Sequence, residues 1–161
     1  MPSKSVIACC HSLLSHNLTI AFVESASTGR LIYDFTSVPD CGQIIKGSIV
    51  CYDRSVKEGL MKIPADVIDK YTAESPEVTQ YLAESLKSLI PADVIVAVTG
   101  LASEGASESE EKPVGTMFVH GYVKDRAWKT KFQFEGTPDE IVAQTIDAIG
   151  TVLLDELSNV L

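Results

Sequence analysis

Hydrophobic positions recur along this chain with two different periods, and the switches between them lay out an alternating plan of helices and strands. Apolar residues at Val6, Cys9, Cys10, Leu13 and Leu14 repeat at helical spacing and predict a helix over about Ser5 to His16. Thr19-Ile-Ala-Phe-Val23 is a continuous apolar or β-branched run, too short for a helix, and predicts a buried strand. Helical spacing returns at Leu31, Ile32 and Phe35, predicting a helix from about Thr28 to Ser37 that the turn residues Val38-Pro39-Asp40-Cys41-Gly42 end. Ile44 to Tyr52 predicts a second strand, with Gly47 as a bulge or close-approach point. Asp53 then caps a short helix carrying Val56, Lys57 and Leu60, and Ile63-Pro64 opens another to about Tyr71. Ser75-Pro76-Glu77 starts a longer helix through Val78, Leu82, Leu86 and Leu89.

The most apolar run is Asp93-Val-Ile-Val-Ala-Val-Thr99-Gly100, which predicts a central strand buried on both faces. Residues Ala102 to Lys112 show no apolar period. They interleave Glu104, Glu108, Glu110 and Glu111 with serines and a glycine, and predict a solvated, mobile loop. Pro113-Val114-Gly115-Thr116 leads into a strand to about Val123. Lys124-Asp125-Arg126 turns the chain, and Trp128 to Phe134 alternates as the partner strand of a hairpin. Thr137-Pro138-Asp139-Glu140 is a capping box at the start of a last helix carrying Ile141, Ile149, Val152, Leu153 and Leu157. Helices set between buried strands, with a late hairpin, predict a three-layer α/β/α sandwich on a mixed, largely parallel sheet. No repeat or linker divides residues 1–161, so one domain is expected.

Composition narrows the function classes. With 161 residues, 45% of them hydrophobic, the chain can build a full core without staples. A net charge of −9 argues against nucleic-acid partners, which require clustered Lys and Arg, and gives no attraction to anionic lipid. No apolar run approaches the length of a membrane span, so a cytoplasmic protein is expected. The four cysteines, Cys9, Cys10, Cys41 and Cys51, have no CxxC spacing and suit a reduced compartment as small buried hydrophobes; no metal site and no cofactor are expected.

The chemistry concentrates after strands. Ser25 follows the first strand, Tyr52 the second, and Thr99-Gly100 ends the central one; ligands in open α/β sheets bind at such ends. The stretch Glu24-Ser25-Ala26-Ser27-Thr28-Gly29 opens a helix, where amides and a positive dipole end point at a crevice. Capping alone also accounts for those hydroxyls. If the strands are parallel neighbours, Ser25, Tyr52, Lys57 and Thr99 face one crevice. They then supply a nucleophile, two proton acceptors and a hydroxyl donor. A serine hydroxyl needs a base, and a lysine desolvated by burial can serve as one. Amides near Ser27-Thr28 and the Thr99 hydroxyl are the candidates for stabilising an oxyanion. No G-x-S-x-G, Ser-x-x-Lys, Walker A or G-x-G-x-x-G pattern points elsewhere, and no histidine is placed for a triad.

Five segments in order, from about Leu18 to Asp155, resemble the CinA carboxy-terminal domain family. They are Val23-Glu24-Ser25, Thr36-Ser37-Val38-Pro39, Gly47-Ser-Ile-Val-Cys-Tyr52 with Lys57 after it, Ala97-Val98-Thr99-Gly100-Leu101-Ala102, and Glu111-Lys112-Pro113-Val114-Gly115-Thr116. The family includes stand-alone nicotinamide-nucleotide amidases. The resemblance implies an α/β/α fold, a homo-oligomer, and metal-free conversion of nicotinamide mononucleotide to its acid and ammonia. By position, Ser25 is the implied nucleophile, Tyr52 and Lys57 its activating partners, and Thr99 lies at the oxyanion. Glu24, Ser27, Thr28, Gly29, Arg30 and Gly100 are the implied substrate-binding residues. The sequence departs from the family pattern in three places. The glycine-rich turn becomes Ser25-Ala26-Ser27-Thr28-Gly29, and a second glycine loop becomes Gly100-Leu101-Ala102-Ser103-Glu104. Arginines near the start of the last helix are replaced by Gly136-Thr137-Pro138, Val142 and Gln144, which leaves Arg30 or Arg54 as the cations to compensate. A relative that keeps the crevice and binds a pyridine nucleotide without turnover is the alternative reading.

Overall fold

The computed structural model describes residues 1–161. Helix α1 (Lys4–Ser15) is capped by the Ser3 hydroxyl, which accepts from the Val6 amide. Strand β1 (Ile20–Glu24) follows and is fully buried. Helix α2 (Arg30–Thr36) is short, and β2 (Ile45–Val50) lies after a single 3-10 turn at Cys41–Gln43. Three helices come next: α3 (Arg54–Gly59), α4 (Ala65–Tyr71) and α5 (Pro76–Leu89). Strand β3 (Val94–Gly100) leads through a long loop to the hairpin of β4 (Thr116–Val123) and β5 (Arg126–Gln133), and α6 (Pro138–Val160) closes the chain. The Thr137/Glu140 capping box forms as the sequence predicts.

The strands make one sheet in the order β2-β1-β3-β4-β5, with β3 at its centre. Joints β1–β2 and β1–β3 are parallel, whereas β3–β4 and β4–β5 are antiparallel. Parallel pairing thus accounts for half of the joints, not the larger part. The reason lies in the connections: a parallel return needs a crossover, usually a helix, and residues 101–115 contain none. Ile20 pairs with Ile45 and Ala21 with Gly47, so Lys46 is the extra residue of a bulge next to Gly47.

Alternation along each strand feeds two cores. Ile20, Phe22, Val94, Val96 and Val98 pack with α1, α2 and α6 on one face. Ala21, Val23, Ile95 and Ala97 pack with α4 and α5 on the other. The sandwich is therefore three-layered. No helix is long and apolar enough to cross a membrane.

Two features of this frame position the site. The parallel strands β1 and β3 end side by side, with Glu24 in register with Val98, so Ser25 and Gly100 emerge at the same edge. The loop expected to be mobile is instead anchored. The Lys112 amine donates to the Thr72 hydroxyl at 2.6 Å, the Glu74 carbonyl at 2.7 Å and the Ser107 hydroxyl at 2.9 Å. A cation among three oxygens binds the loop to the α4–α5 connection, an effect that charge counting along the loop does not reveal.

Candidate active site

Glu24 ends β1 with its side chain on the same face as Phe22, beneath α2, and is fully buried. Its carboxylate accepts from the Ser27 hydroxyl at 2.7 Å, the amides of Gly29, Leu31 and Ile32 at 3.1, 3.0 and 3.1 Å, and the Ser48 hydroxyl at 2.9 Å. All five are bonds to a carboxylate, and the three amides among them belong to the otherwise unsatisfied start of α2. The expectation that α2 offers its amides to a ligand is thus corrected: Glu24 itself is the anion they hold. The Glu24 carboxylate and the Ser27 hydroxyl are engaged with each other rather than with the crevice. The turn also needs Thr28 and Gly29 at φ 50° and 94°, and Gly29 supplies the second without a side-chain penalty.

This locked turn presents Ser25. Its amide donates to the Val98 carbonyl at 3.1 Å and its carbonyl accepts from the Thr28 amide at 3.2 Å. Both backbone groups are fixed, and only the hydroxyl is left to act. From the opposite side comes Lys57. Strand β2 passes into α3 through Cys51-Tyr52-Asp53, and the Asp53 carboxylate caps the helix at the Ser55 amide. That short connection turns Lys57 inward, where it is 1% exposed. Its amine lies 3.1 Å from Ser25 Oγ, 2.7 Å from the Cys51 carbonyl and 3.2 Å from the Tyr52 carbonyl. No carboxylate forms a salt bridge with it. Desolvation pushes its pKa below the ordinary lysine value of 10.5, and the opposing charges of Cys51, Glu74 and Asp53 do not offset it. The hydrogen-bond arithmetic follows from this geometry. A neutral amine has two N–H groups, which the two carbonyls take, and one lone pair, which is left to the Ser25 hydroxyl. After it accepts that proton, the ammonium has three N–H donors for the same three oxygens.

The other two candidate groups, Tyr52 and Thr99, are not arranged as the sequence suggests. Tyr52 reaches Lys57 with its backbone carbonyl; its phenol makes no hydrogen bond and the residue is 70% exposed at the mouth of the site. Thr99 is fully buried behind the site, and its hydroxyl lies 2.9 Å from that of Thr79. The Thr79 proton already goes to the Ser75 carbonyl at 2.6 Å, so Thr99 must spend its own proton on Thr79. It has none left for an oxyanion. The Thr28 amide is taken by Ser25, whereas the amides of Ala26 and Ser27 have no acceptor within the protein. Those two are the donors available next to the Ser25 hydroxyl.

A cavity of about 540 Å³ opens above Ser25. Of the residues expected at the site, Ser27, Thr28, Arg30, Tyr52 and Gly100 line it, joined by Ala26, whereas Glu24 and Gly29 are not among its lining and Lys57 and Thr99 lie behind its wall. Gly100 is required there because a Cβ would come within 2.3 Å of Met117 Sδ and 2.8 Å of the Thr116 carbonyl. Arg30 is paired with Asp139 at 2.6 Å, and Arg54 is outside, paired with Glu58 and Asp69. Sequence reasoning missed Glu74 and Asp139 on the wall, whereas Val142, which stands where the family pattern has an arginine, also lines it. The signal was available for Asp139, because a capping box marks a helix start and helix starts gather at strand ends. Glu74, just before a cap, carried the same signal. No histidine lines the cavity, and no group of three His, Cys, Asp or Glu side chains is gathered to hold a metal.

Comparison with known proteins bears on this arrangement. A family model described as CinA C-terminal domain matches residues 4–157. A CinA-like protein of Desulfotalea psychrophila is 29% identical over 150 residues, covering 91% of this chain and 36% of its own length. One from Petrotoga mobilis is 33% identical over 129 residues, covering 80% of this chain and 32% of its own. The chain thus spans about a third of these curated relatives. The crystal structure of a competence-damaged protein (CinA) superfamily protein from Klebsiella pneumoniae superposes with a TM-score of 0.90 at 18% identity, over 97% of each chain. A competence/damage inducible protein from Agrobacterium tumefaciens gives 0.88 at 18% identity, over 98% of each. At that identity the structural likeness shows the fold alone. With the family match covering nearly the whole chain, the protein belongs to the CinA C-terminal domain family.

Proposed function

We propose that this chain is a serine amidohydrolase that converts a small primary carboxamide, nicotinamide mononucleotide or a related compound, to the acid and ammonia. The observation that carries the reading is the Lys57 amine, buried without a counterion and 3.1 Å from Ser25 Oγ. Ser25 Oγ attacks the amide carbon while its proton passes to Lys57 Nζ. The oxyanion that forms is met by the Ala26 and Ser27 amides. Lys57 returns the proton to the amide nitrogen, the C–N bond breaks, and ammonia leaves an acyl ester on Ser25. Water then attacks that ester with Lys57 again as base, and the acid departs. Tyr52 contributes through its carbonyl, which orients the amine. The homo-oligomer implied by the resemblance belongs to the same proposal, and the open edge of β2 is the surface it would cover.

Ammonia release from nicotinamide mononucleotide, with Ser25→Ala and Lys57→Ala as controls, tests this. Release lost in both variants supports it, and unchanged release in either one defeats it. The alternative, a relative that binds a pyridine nucleotide without turning it over, is favoured by one observation: the Tyr52 phenol makes no bond to Ser25 or Lys57. It predicts calorimetric binding with no product.

A further inference from the structure

We infer that the cavity selects a carboxamide whose remainder carries no phosphate, and that its preferred substrate is neutral or cationic. This rests on the amidase reading for the identity of the reacting group, and on the charges around the cavity for the rest. Arg30 is the one cation among the lining residues, against the carboxylates of Glu74 and Asp139. The charge of Arg30 is also already paired: its Nη1 donates to Asp139 Oδ1 at 2.6 Å and to the Asp139 carbonyl at 3.3 Å, which leaves Nε and Nη2 without a partner but beside a carboxylate. Lys112 has its amine surrounded by the Thr72 and Ser107 hydroxyls and the carbonyl of Glu74, a lining residue. Lys57 lies behind Ser25 with its three oxygens.

The helix starts that ordinarily receive phosphate are filled as well. The α2 amides hold the Glu24 carboxylate. The α6 start carries Asp139 and Glu140 in its first turn, and the Glu140 carboxylate takes the Thr137 amide at 2.7 Å. A helix dipole contributes roughly half a positive charge, less than those two carboxylates remove. The rim adds another anion. Glu108 accepts from the amides of Gly105 and Ala106, two lining residues, at 2.8 Å each, and those bonds hold its carboxyl below the usual range. A phosphate entering here would meet carboxylates and no free cation, whereas a cationic ring would meet favourable charge and the exposed Tyr52 face.

The test compares two compounds that differ only in the phosphate, nicotinamide riboside and nicotinamide mononucleotide. At low ionic strength kcat/KM for ammonia release should be at least tenfold higher for the riboside, and the gap should narrow as salt is added. Asp139→Asn, which frees Arg30, should raise the mononucleotide's relative kcat/KM several-fold. Equal or better turnover of the mononucleotide by the unmodified protein overturns the inference. If neither compound releases ammonia, the catalytic reading fails by itself, and calorimetry on the same protein decides the selection. Tighter binding of the riboside, by tenfold or more, upholds it. Equal binding, tighter binding of the mononucleotide, or no binding of either overturns it.

Discussion

Lys57 and Glu24 are both buried and charged by nature, and the fold treats them oppositely. Lys57 has no counterion, so burial lowers its pKa. Between that lowered value and the ordinary 10.5 of the unfolded chain, the unfolded state holds the proton and the folded state has lost it. Stability contributed by this residue therefore rises with pH across that window. The rise in melting temperature should be present in the unmodified protein and missing from Lys57→Met, and the difference between the two isolates the lysine from the cysteines. The same titration predicts that kcat/KM climbs with pH up to the folded pKa of Lys57 and then levels. Glu24 is stabilised by five donors, three of them backbone amides. Glu24→Ala strands those donors and should cost about 3–5 kcal/mol in denaturant unfolding, since each unsatisfied buried group costs about 1–3 kcal/mol. A loss below about 1 kcal/mol would show that the turn does not depend on it.

At the scale of elements, the starts of helices were the most legible feature of the sequence. Ser75-Pro76, Asp53 and Thr137-Pro138 all cap where they were expected to, because capping is a local bond between near neighbours. The directions of side chains at strand ends were legible too, through a period of two that the reading of the site did not apply. Glu24 shares its face with Phe22, so it had to lie under α2; Thr99 shares its face with Ala97, so it had to meet α5. The Lys112 anchor was not legible, because it joins residues some forty positions apart in sequence. The segment it holds runs into Gly115, which is at φ 96° and whose Cβ would lie 1.9 Å from the Phe134 carbonyl. Gly115→Ala is strained and crowded at once, and its unfolding free energy should fall by about 3 kcal/mol or more. A neutral outcome would mean that the β3–β4 loop moves without cost.

Across the whole molecule, the sheet order brings together groups that are 32 residues apart in sequence, and the candidate site exists only because β2 and β3 flank β1 in parallel. The same order leaves β2 as an open edge, where Val50 is 44% exposed beside Tyr52. Light scattering should find an oligomer that Val50→Lys reduces to a smaller species; a monomer in the unmodified protein would contradict that. The proposed pairing of Ser25 with Lys57 is tested most directly by a serine-directed phosphonofluoridate, followed by mass spectrometry of the intact and digested protein. The account predicts a single adduct on Ser25, forming faster as Lys57 deprotonates and at least a hundredfold slower in Lys57→Met. An unmodified Ser25, or an adduct that forms at the same rate without the lysine, would contradict it.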